Sequence, residues 1–249
     1  MRIEGKAAWI TGAASGIGRA VAIALAEKGA RHLTLCDIDG EGLAVTSQLA
    51  TEMGASVSAK ELDVANLEAC ERELEEADRQ QGLDIVINNA GIAVGPPEYP
   101  ETPLQRIAQL ISINLTAVTV ITAVASRLMS RRGAGVIINT ASTAAFDPRL
   151  LDAPYRASKA GVVTLTRCCA ELAARGVRVN AVAPGLTDTP ILNKVGDGAS
   201  PPQWIENARR DKRMLSPGEV AAAFITLIED DSRAGEVLQV TNAPRGDIP

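Results

Sequence analysis

Histidine is almost absent from the 249-residue chain, and its four cysteines are unpatterned. The one histidine, His32, falls at the start of an apolar run, and no G-x-S-x-G motif surrounds Ser142. No two cysteines have the C-x-x-C spacing, and the adjacent Cys168 and Cys169 would point in different directions on a helix. A serine hydrolase, a metal site and a disulfide framework are therefore disfavoured. We expect the cysteines to be buried free thiols.

The chain also lacks an excess of positive charge and any long apolar run. Its 25 basic and 30 acidic residues give a net charge of −5, and the basic residues are scattered apart from short pairs such as Arg131-Arg132. Such a surface would repel a phosphate backbone, which argues against nucleic-acid binding. Nowhere do eighteen apolar residues run together, and Glu4 and Lys6 interrupt the apolar residues near the N-terminus. We expect a cytoplasmic protein without membrane contact.

Short apolar runs alternate with longer amphipathic segments along the chain. The runs predict seven strands, at 7–11, 32–37, 56–63, 83–88, 135–142, 177–183 and 236–241. The intervening segments predict helices near 16–29, 40–53, 66–81, 102–131, 154–175 and 217–230. Apolar strands joined by helices pair in parallel through right-handed crossovers. The pattern predicts an α/β fold in which residues 1–249 form a single-domain, doubly wound (Rossmann-type) seven-stranded parallel sheet with helices on both faces.

One long stretch, residues 187–216, reads as neither strand nor helix. It contains the run KVGDGASPPQW, with two glycines and two prolines. Beside a binding cleft such a stretch often forms a lid on the substrate side, but a surface excursion explains the composition equally well.

A glycine-rich turn, TGAASGIG at 11–18, lies between the first predicted strand and the first predicted helix. Gly12, Gly16 and Gly18 would let the backbone approach a pyrophosphate while the helix N-terminal amides point at its charge. The G-x3-G-x-G spacing is a variant of the dinucleotide fingerprint. The same glycines would also suit a turn that only packs a helix closely against a strand.

Asp37 ends the second predicted strand, nineteen residues after Gly18. A carboxylate there can accept hydrogen bonds from both hydroxyls of an adenosine ribose. It would repel a 2′-phosphate by on the order of 1 kcal/mol in water and about 4 kcal/mol at an effective dielectric constant near 20. Ile38 follows, where a basic residue would favour that phosphate. These residues predict NAD rather than NADP as the cofactor.

Tyr155, one of only two tyrosines, lies four residues before Lys159 in the segment YRASK. Residues at this spacing share one face of a helix. Lowering the pKa of a phenol from about 10 by two to three units takes roughly 3 to 4 kcal/mol of selective anion stabilisation. An ammonium and a cationic nicotinamide ring could supply it, and the tyrosine would then act as a general acid and base. The same pair also recurs by chance on many helices.

A set of motifs carries a family resemblance: TGAASGIG (11–18), LDV (62–64), NNAG (88–91), YRASK (155–159) and PGLTDT (184–189), together with Asn114 and Ser142. In their order and spacing the chain resembles the short-chain dehydrogenase/reductase family over about residues 5–241. The resemblance implies that Tyr155 exchanges a proton with the substrate oxygen and that Lys159 lowers its pKa and holds the nicotinamide ribose. Ser142 would donate a hydrogen bond to that oxygen. Asn114 would hold a helix distortion and a water that links Lys159 to solvent.

The resemblance also implies how the chain holds its cofactor. Asp63 and Val64 would contact the adenine, and the residues of PGLTDT would contact the nicotinamide end. The full set of expected cofactor-binding residues is Gly12, Ser15, Gly16, Ile17, Gly18, Asp37, Ile38, Asp63, Val64, Asn89, Ala90, Gly91, Tyr155, Lys159, Pro184, Gly185, Thr187 and Thr189. Taken singly, Asp63 and Asn89 could merely cap turns, Ser142 could be a turn hydroxyl, and Asn114 a satisfied buried amide.

The substrate side and the assembly are less constrained by the motifs. Phe146, Leu150, Leu151, Ile191, Leu192 and Trp204 would form a mostly apolar pocket, whereas Arg149 could instead bind a carboxylate. Family members often end in a VDGG-like segment, and this chain reads LQVTNAPRGDIP instead. The broadly apolar helices at 102–131 and 154–175 suggest partner helices, and proteins similar to this one commonly form tetramers through them. We therefore expect a homotetramer.

Two functions remain after the hydrolase is disfavoured. One is an NAD-dependent alcohol dehydrogenase or ketone reductase that transfers a hydride between a medium-sized hydrophobic secondary alcohol and NAD. The other is a catalytically silent redox sensor or scaffold that binds NAD. Intact Ser142, Tyr155 and Lys159 favour the enzyme, because a pure binder has no need of all three.

Overall fold

A computed structural model describes residues 1–93, 95–192 and 203–244 of the chain. Within these ranges seven parallel strands form one sheet: β1 Ala7–Thr11, β2 His32–Asp37, β3 Ser56–Glu61, β4 Ile85–Asn88, β5 Gly135–Thr140, β6 Val177–Pro184 and β7 Val237–Val240. Their order across the sheet is β3-β2-β1-β4-β5-β6-β7, which confirms the predicted doubly wound topology. The sequence predicted each of these strands, and it was wrong only about where some of them begin or end.

Helices connect the strands on both faces of the sheet. Those in the described ranges are α1 Gly16–Glu27, α2 Gly40–Glu52, α3 Leu67–Gln81, α4 Leu104–Ile111, α5 Val118–Arg132, α6 Ala153–Cys168, α7 Gln203–Asp211 and α8 Pro217–Glu229. The helices α1, α2 and α8 pack against one face, and α3, α5 and α6 against the other. Short 3-10 segments occur at Thr143–Phe146, Cys169–Arg175 and Pro190–Leu192.

The apolar strands are buried on both faces because successive side chains point to opposite sides of a sheet. On β1, Ile10 packs with the α1 and α8 side, whereas Trp9 packs with the α3 and α5 side, and both are 0% exposed. Burying a side chain of this size contributes about 2 to 3 kcal/mol. Trp9 aligns with Thr34 of β2 and Val86 of β4, so the two clusters fix the register at the centre of the sheet.

The long predicted helix at 102–131 is not continuous. It consists of α4 and α5 joined by a π-helical segment, Ser112–Ala117, which carries Asn114. By length and composition alone, the stretch Leu104–Arg132 would be long and apolar enough to cross a membrane. However, Ile121, Val124 and Leu128 of α5 are buried in the cluster under the sheet, and the core helix of a soluble protein passes the same test.

Two further expectations are wrong in part. Residues Gln203–Asp211 form α7, although the stretch 187–216 was expected to be irregular. The helix is only nine residues long, and its residue Ile205 packs against Leu192. One such apolar residue does not produce the repeating apolar pattern by which a helix is predicted from sequence. Residues 193–202 lie outside the described part of the chain. Among the cysteines, Cys36 and Cys70 are buried as expected, but Cys168 at the end of α6 is exposed.

Candidate active site

A cleft of about 1110 Å³ opens at the carboxyl ends of the strands. The strand order reverses its direction between β1 and β4, and an open α/β sheet leaves a crevice at that point because the adjoining helices lie on opposite faces. The loops that follow β1, β2, β4, β5 and β6 all supply lining residues. Side chains that are distant in the sequence therefore meet in this cleft.

The turn after β1 brings its backbone close to the cleft. Gly12 and Gly16 have φ angles of +64° and +53°, which side chains with a Cβ rarely adopt. A Cβ at Gly18 would lie 2.0 Å from the carbonyl oxygen of Gly12. The Asn89 Nδ2 donates to the carbonyl of Gly12 at 3.1 Å and so ties this turn to the loop after β4. Ser15 precedes α1 without a side-chain capping bond, which leaves the first helix amides for a phosphate. The turn fits a pyrophosphate.

Asp37 and Ile38 lie beside this turn at the end of β2. Asp37 Oδ2 accepts a hydrogen bond from the Ala14 amide at 3.0 Å, and its Oδ1 accepts one from the Asp39 amide at 3.2 Å. These bonds hold the carboxylate at the rim of the cleft. Ile38 is 74% exposed, and both residues line the cleft. A fixed carboxylate at this position fits an unmodified ribose and opposes a 2′-phosphate.

Ser142, Tyr155 and Lys159 converge deeper in the cleft, from the end of β5 and the first turns of α6. The Ser142 hydroxyl lies close enough to the phenol of Tyr155 to lower its pKa. It also accepts a hydrogen bond from the Ala144 amide at 3.2 Å. Lys159 is 4% exposed, and its Nζ donates to the carbonyl of Thr140 at 2.8 Å. The same Nζ lies 5.9 Å from the centre of the Tyr155 ring. A hydroxyl, a phenol and an ammonium thus occupy one pocket.

Asn114 lies directly behind this group and is 0% exposed. Its side-chain amide pairs with the backbone of Ile92: Oδ1 accepts from the amide and Nδ2 donates to the carbonyl, each at 2.9 Å. Nδ2 is also 3.4 Å from the Ser158 hydroxyl oxygen. A Cβ on Gly91 would lie 3.2 Å from Asn114 Oδ1 and 3.6 Å from Lys159 Nζ. Gly91 therefore leaves a narrow space between the amide and the ammonium.

Burial shifts the pKa values of the two ionisable groups in opposite directions. It lowers the pKa of Lys159 to about 8, so the ammonium is still mostly charged at neutral pH. It raises the pKa of Tyr155, and the Ser142 hydrogen bond and the nearby Arg156 charge only partly oppose that rise. The expected lowering of the Tyr155 pKa by Lys159 is therefore not found in the protein alone. The desolvation of the phenolate outweighs the charges around it.

A second loop closes the cleft at the ends of β6 and β7. The hydroxyl of Thr187 donates to the carbonyl of Gly185 at 3.0 Å, and the hydroxyl of Thr189 donates to the carbonyl of Thr187 at 3.2 Å. Asn242 holds the loop from the other side: its Oδ1 accepts from the Leu186 amide at 2.8 Å, and its Nδ2 donates to the Leu186 carbonyl at 2.7 Å. The C-terminal segment, which departs from the family pattern, thus supports this loop.

The structure brings together nearly all of the predicted site. Every expected catalytic or cofactor-binding residue lines the cleft except Gly18 and Asn114, which lie just behind its wall. Of the residues expected to form an apolar pocket, Leu151, Ile191 and Leu192 line the cleft. Phe146 and Leu150 do not line it, and they are 41% and 65% exposed. The Trp204 side chain lies outside the described part of the structure.

Several lining residues were missed by the sequence analysis. Thr140, Asp152, Arg156 and Asn242 all line the cleft. Arg156 lies within the YRASK segment, but only Tyr155 and Lys159 of that segment were expected to act, and the other three lie outside the quoted motifs. Arg149, proposed above for a substrate carboxylate, also lines the cleft, but its Nε is 2.8 Å from Asp147 Oδ2. Its charge is already paired within the protein.

The fold and the cleft define an α/β protein of the doubly wound, dinucleotide-binding class. The family model described as short chain dehydrogenase matches residues 6–200. The chain belongs to this family, whose members are oxidoreductases that use a nicotinamide dinucleotide.

Individual relatives agree with this assignment. The chain is 36% identical to the D-threitol dehydrogenase of Mycolicibacterium smegmatis over 233 residues, which cover 92% of this chain and 88% of the relative. The solved structure of an NAD+-bound xylitol dehydrogenase matches with a TM-score of 0.85 and 28% identity, covering 98% of this chain and all of the other. A gluconate 5-dehydrogenase structure from Beutenbergia cavernae, with NADP at low occupancy, matches with a TM-score of 0.84 and 32% identity, covering 96% and 97% of the two chains.

Proposed function

We propose that this protein is an NAD-dependent oxidoreductase that interconverts a secondary alcohol and a ketone by hydride transfer. The observation that carries the proposal is the convergence of Ser142, Tyr155 and the buried ammonium of Lys159 in one cleft with a phosphate-binding turn. These are the groups that a carbonyl oxygen needs when a proton is to be added or removed there.

The bound dinucleotide would accept or supply the hydride, and the side chains of this chain would handle the proton and the orientation. In the oxidation direction, the Tyr155 phenolate would take the proton of the alcohol hydroxyl, and the hydride would leave the carbon that bears this hydroxyl. Ser142 donates a hydrogen bond to the reacting oxygen. Lys159 presents a positive charge to the phenolate, and Asn114, through its bonds to Ile92, holds the π-helical segment beside Lys159.

The test of this mechanism is the variant Tyr155→Phe. It removes only the hydroxyl, so we expect turnover to fall by at least a thousandfold while NAD still binds. The assay is the absorbance of the reduced cofactor with a panel of secondary alcohols. Tight NAD binding without turnover of any alcohol or ketone by the unaltered protein would instead support the sensor or scaffold alternative.

The proposed cofactor site runs from the turn after β1 to the loop after β6. Gly12, Ser15, Gly16, Ile17 and Gly18 would hold the pyrophosphate. Asp63 and Val64 would contact the adenine, and the loops after β4 and β6 would contact the nicotinamide half. The NAD+-bound xylitol dehydrogenase supports NAD, whereas the gluconate dehydrogenase structure, with NADP at low occupancy, supports NADP as the rival cofactor.

The position of Asp37 favours NAD in this chain, because two backbone amides hold its carboxylate at the rim of the cleft. We expect the double variant Asp37→Ser with Ile38→Arg to shift the ratio of kcat/KM for NAD over NADP at least tenfold toward NADP. Equal or better efficiency of the unaltered protein with NADPH than with NADH would overturn the assignment.

The substrate side favours a medium-sized secondary alcohol with a mostly apolar skeleton. Ile92, Ala93, Leu151, Leu186 and Leu192 supply apolar lining near Ser142 and Tyr155. The dehydrogenases of D-threitol and xylitol support small polyols as the rival substrates. A panel of matched cyclic alcohols and polyols separates the two, because a higher kcat/KM for polyols would contradict the apolar pocket.

We also propose that the region 187–216 covers the substrate. A separate proposal is that the protein is a homotetramer. Exposed or half-buried apolar residues remain on the outer sides of α4 and α6, among them Leu104, Ile107 and Leu165. Such residues are typical of helices that pack against a partner. Light scattering at micromolar concentration tests the assembly, and a monomer there would contradict it.

A further inference from the structure

Arg156, the residue after Tyr155, is anchored in the wall of the cleft. Its side chain is 16% exposed, and its Nε donates to Oδ1 of Asp152, one turn earlier on the chain. Its Nη1 donates to the backbone carbonyl of Asp147 and lies 3.5 Å from the carbonyl oxygen of Ala144. The same nitrogen is 3.6 Å from Asp147 Oδ2. One guanidinium therefore joins the start of α6 to the segment that follows β5.

That segment begins with Ser142, the residue before the 3-10 turn Thr143–Phe146. The Ala144 amide donates to the Ser142 hydroxyl at 3.2 Å, and the Ala145 amide donates to the Ser142 carbonyl at 3.0 Å. Ala144 is thus bonded to Ser142 through its amide and to Arg156 through its carbonyl. A short chain of contacts therefore links Arg156, the residue next to Tyr155, with the Ser142 hydroxyl.

The guanidinium suits this position better than an ammonium would. Arginine presents several N–H groups in a rigid plane and can hold a carboxylate and backbone carbonyls at the same time, whereas lysine offers one point of charge. The contacts are also shielded, because most of the Arg156 side chain is buried, as is that of Asp152, which is 20% exposed. The arrangement is therefore more rigid than an exposed ion pair.

We propose that Arg156 is a positioning residue that holds the Ser142 hydroxyl and the Tyr155 phenol in register for proton exchange with the substrate oxygen. The inference rests on the proposed dehydrogenase function. Arg156 acts through the 3-10 turn and through α6.

The charges around Tyr155 give a second way to observe this role. The charged residues that line the cleft are Asp37, Asp39, Asp63, Asp147, Arg149, Asp152, Arg156, Lys159, Asp211 and Lys212. Among them the Arg156 charge lowers the pKa of Tyr155 and the Asp152 charge raises it. Because the two charges are paired, removing either one leaves the other unbalanced beside the phenol.

The experiment compares Arg156→Met, Arg156→Lys and Asp152→Asn with the unaltered protein, and uses Arg72→Met on the exposed surface of α3 as the control. We expect Arg156→Met to lower kcat at least tenfold with less than a twofold change in the KM for NAD, and Arg156→Lys to recover part of the loss. In alcohol oxidation, where turnover needs the phenolate, the midpoint of the rise of kcat with pH should move to higher pH in Arg156→Met and to lower pH in Asp152→Asn. The control should change neither quantity.

The possible failures are distinguishable. Turnover by the unaltered protein and its loss in Tyr155→Phe support the proposed function independently of Arg156. With that function in place, an unchanged kcat and pH profile in Arg156→Met overturn the inference alone. If Arg156→Met does not fold, Arg156→Lys and Asp152→Asn decide. An unchanged kcat in Arg156→Lys together with an unshifted midpoint in Asp152→Asn would overturn the inference. Absence of turnover by the unaltered protein overturns both proposals.

Discussion

Lys159 is a buried charge that donates a hydrogen bond to the Thr140 carbonyl. Burial lowers its pKa from an ordinary value of 10.5 to about 8. Removing a charge from water costs free energy unless an opposite charge compensates for it. The residue therefore destabilises the fold at neutral pH, and a role in the chemistry of Tyr155 explains why it is tolerated there.

The variant Lys159→Met should be more stable than the unaltered protein at pH 7, and the advantage should shrink at alkaline pH. Because the pKa of Lys159 is lower in the folded than in the unfolded state, the folded protein binds fewer protons between about pH 8 and 10.4. Stability of the unaltered protein thus rises with pH across that window, and the full cost applies below it. From pH 7 to pH 10 we expect the difference in free energy of unfolding to fall by about 2 kcal/mol.

Urea denaturation of both proteins at the two pH values measures this difference. The loss of the hydrogen bond to Thr140 changes the offset between the proteins but not its dependence on pH. A difference that stays constant from pH 7 to pH 10 would show that Lys159 is not held in a desolvated state.

A second residue-scale prediction concerns two glycines in different surroundings. A Cβ at Gly18 would meet the Gly12 carbonyl oxygen at 2.0 Å, and backbone cannot move aside as a flexible side chain can. We expect Gly18→Ala to lower the free energy of unfolding by roughly 1 to 3 kcal/mol and to weaken NAD binding. At Gly218, near the start of α8, the closest atom is 3.9 Å away, so Gly218→Ala should instead stabilise by about 0.5 to 1 kcal/mol. Denaturation and NAD titration compare them.

The residues that sequence could predict are those whose chemistry depends on their own type and spacing. Tyr155 and Lys159 are an example, because four residues along a helix place them on one face wherever the helix lies. The ion pair of Arg156 with Asp152 has the i,i+4 spacing that a sequence can show, but its bond to the Asp147 carbonyl could not be predicted, nor could the bonds of Asn242 to Leu186. These partners are backbone groups of other segments. Backbone groups are present at every position, so the sequence gives no signal for which of them a side chain will bond.

Among the elements, the π-helical segment between α4 and α5 shows a similar limit. The apolar pattern of this region predicted one continuous α-helix. Residues Ser112–Ala117 instead form a π-helix, and the Asn114 side chain forms hydrogen bonds with the backbone of Ile92. Such segments differ from an α-helix by a single added residue per turn and often occur at functional sites. The turns of α4 and α5 on either side each keep the apolar spacing of an α-helix, so periodicity gave no sign of the π-helical segment. The resemblance to a family predicted the distortion instead.

The C-terminal segment after β7 carries an element-scale prediction. Asn242 bonds to the Leu186 amide and carbonyl and also donates to the Arg213 carbonyl at 3.0 Å, so it joins three segments at the edge of the cleft. Asn242→Ala leaves these backbone groups without their partner, which should cost about 1 to 3 kcal/mol of stability. Because Leu186 belongs to the loop proposed to hold the nicotinamide, the KM for NAD should also rise. The exposed Gln239 of β7, as Gln239→Ala, is the matched control.

Denaturation and steady-state kinetics of the two variants measure both effects. An Asn242→Ala protein with the stability and KM of Gln239→Ala would mean that water replaces the side-chain amide at no cost. In that case the loop after β6 would be held by its own threonine hydrogen bonds.

On the scale of the whole molecule, the strand order explains why one cleft collects residues from Gly12 to Asn242. Parallel strands place their carboxyl ends at one edge, and the reversal between β1 and β4 opens that edge. The fold could be predicted because apolar strands alternating with amphipathic helices admit few other arrangements. The position of α7 and the shape of the substrate pocket could not, since short polar segments carry no periodic signal.

Binding of the cofactor should stabilise the whole molecule, because the cleft depends on loops from both halves of the sheet. A ligand that binds only the folded state at a concentration 100 times its Kd adds about 2.7 kcal/mol to the free energy of unfolding. We expect NAD to stabilise the unaltered protein more than NADP does at equal concentration, and the order to reverse in Asp37→Ser with Ile38→Arg. Tyr155→Phe should keep the preference for NAD, because the phenol hydroxyl handles the proton and not the adenosine ribose.

Thermal unfolding with each dinucleotide measures these shifts without any turnover, so the result distinguishes the cofactor assignment from the substrate assignment. Equal stabilisation by NAD and NADP in the unaltered protein would show that the Asp37 carboxylate does not exclude the 2′-phosphate, although two backbone amides hold it in place by hydrogen bonds.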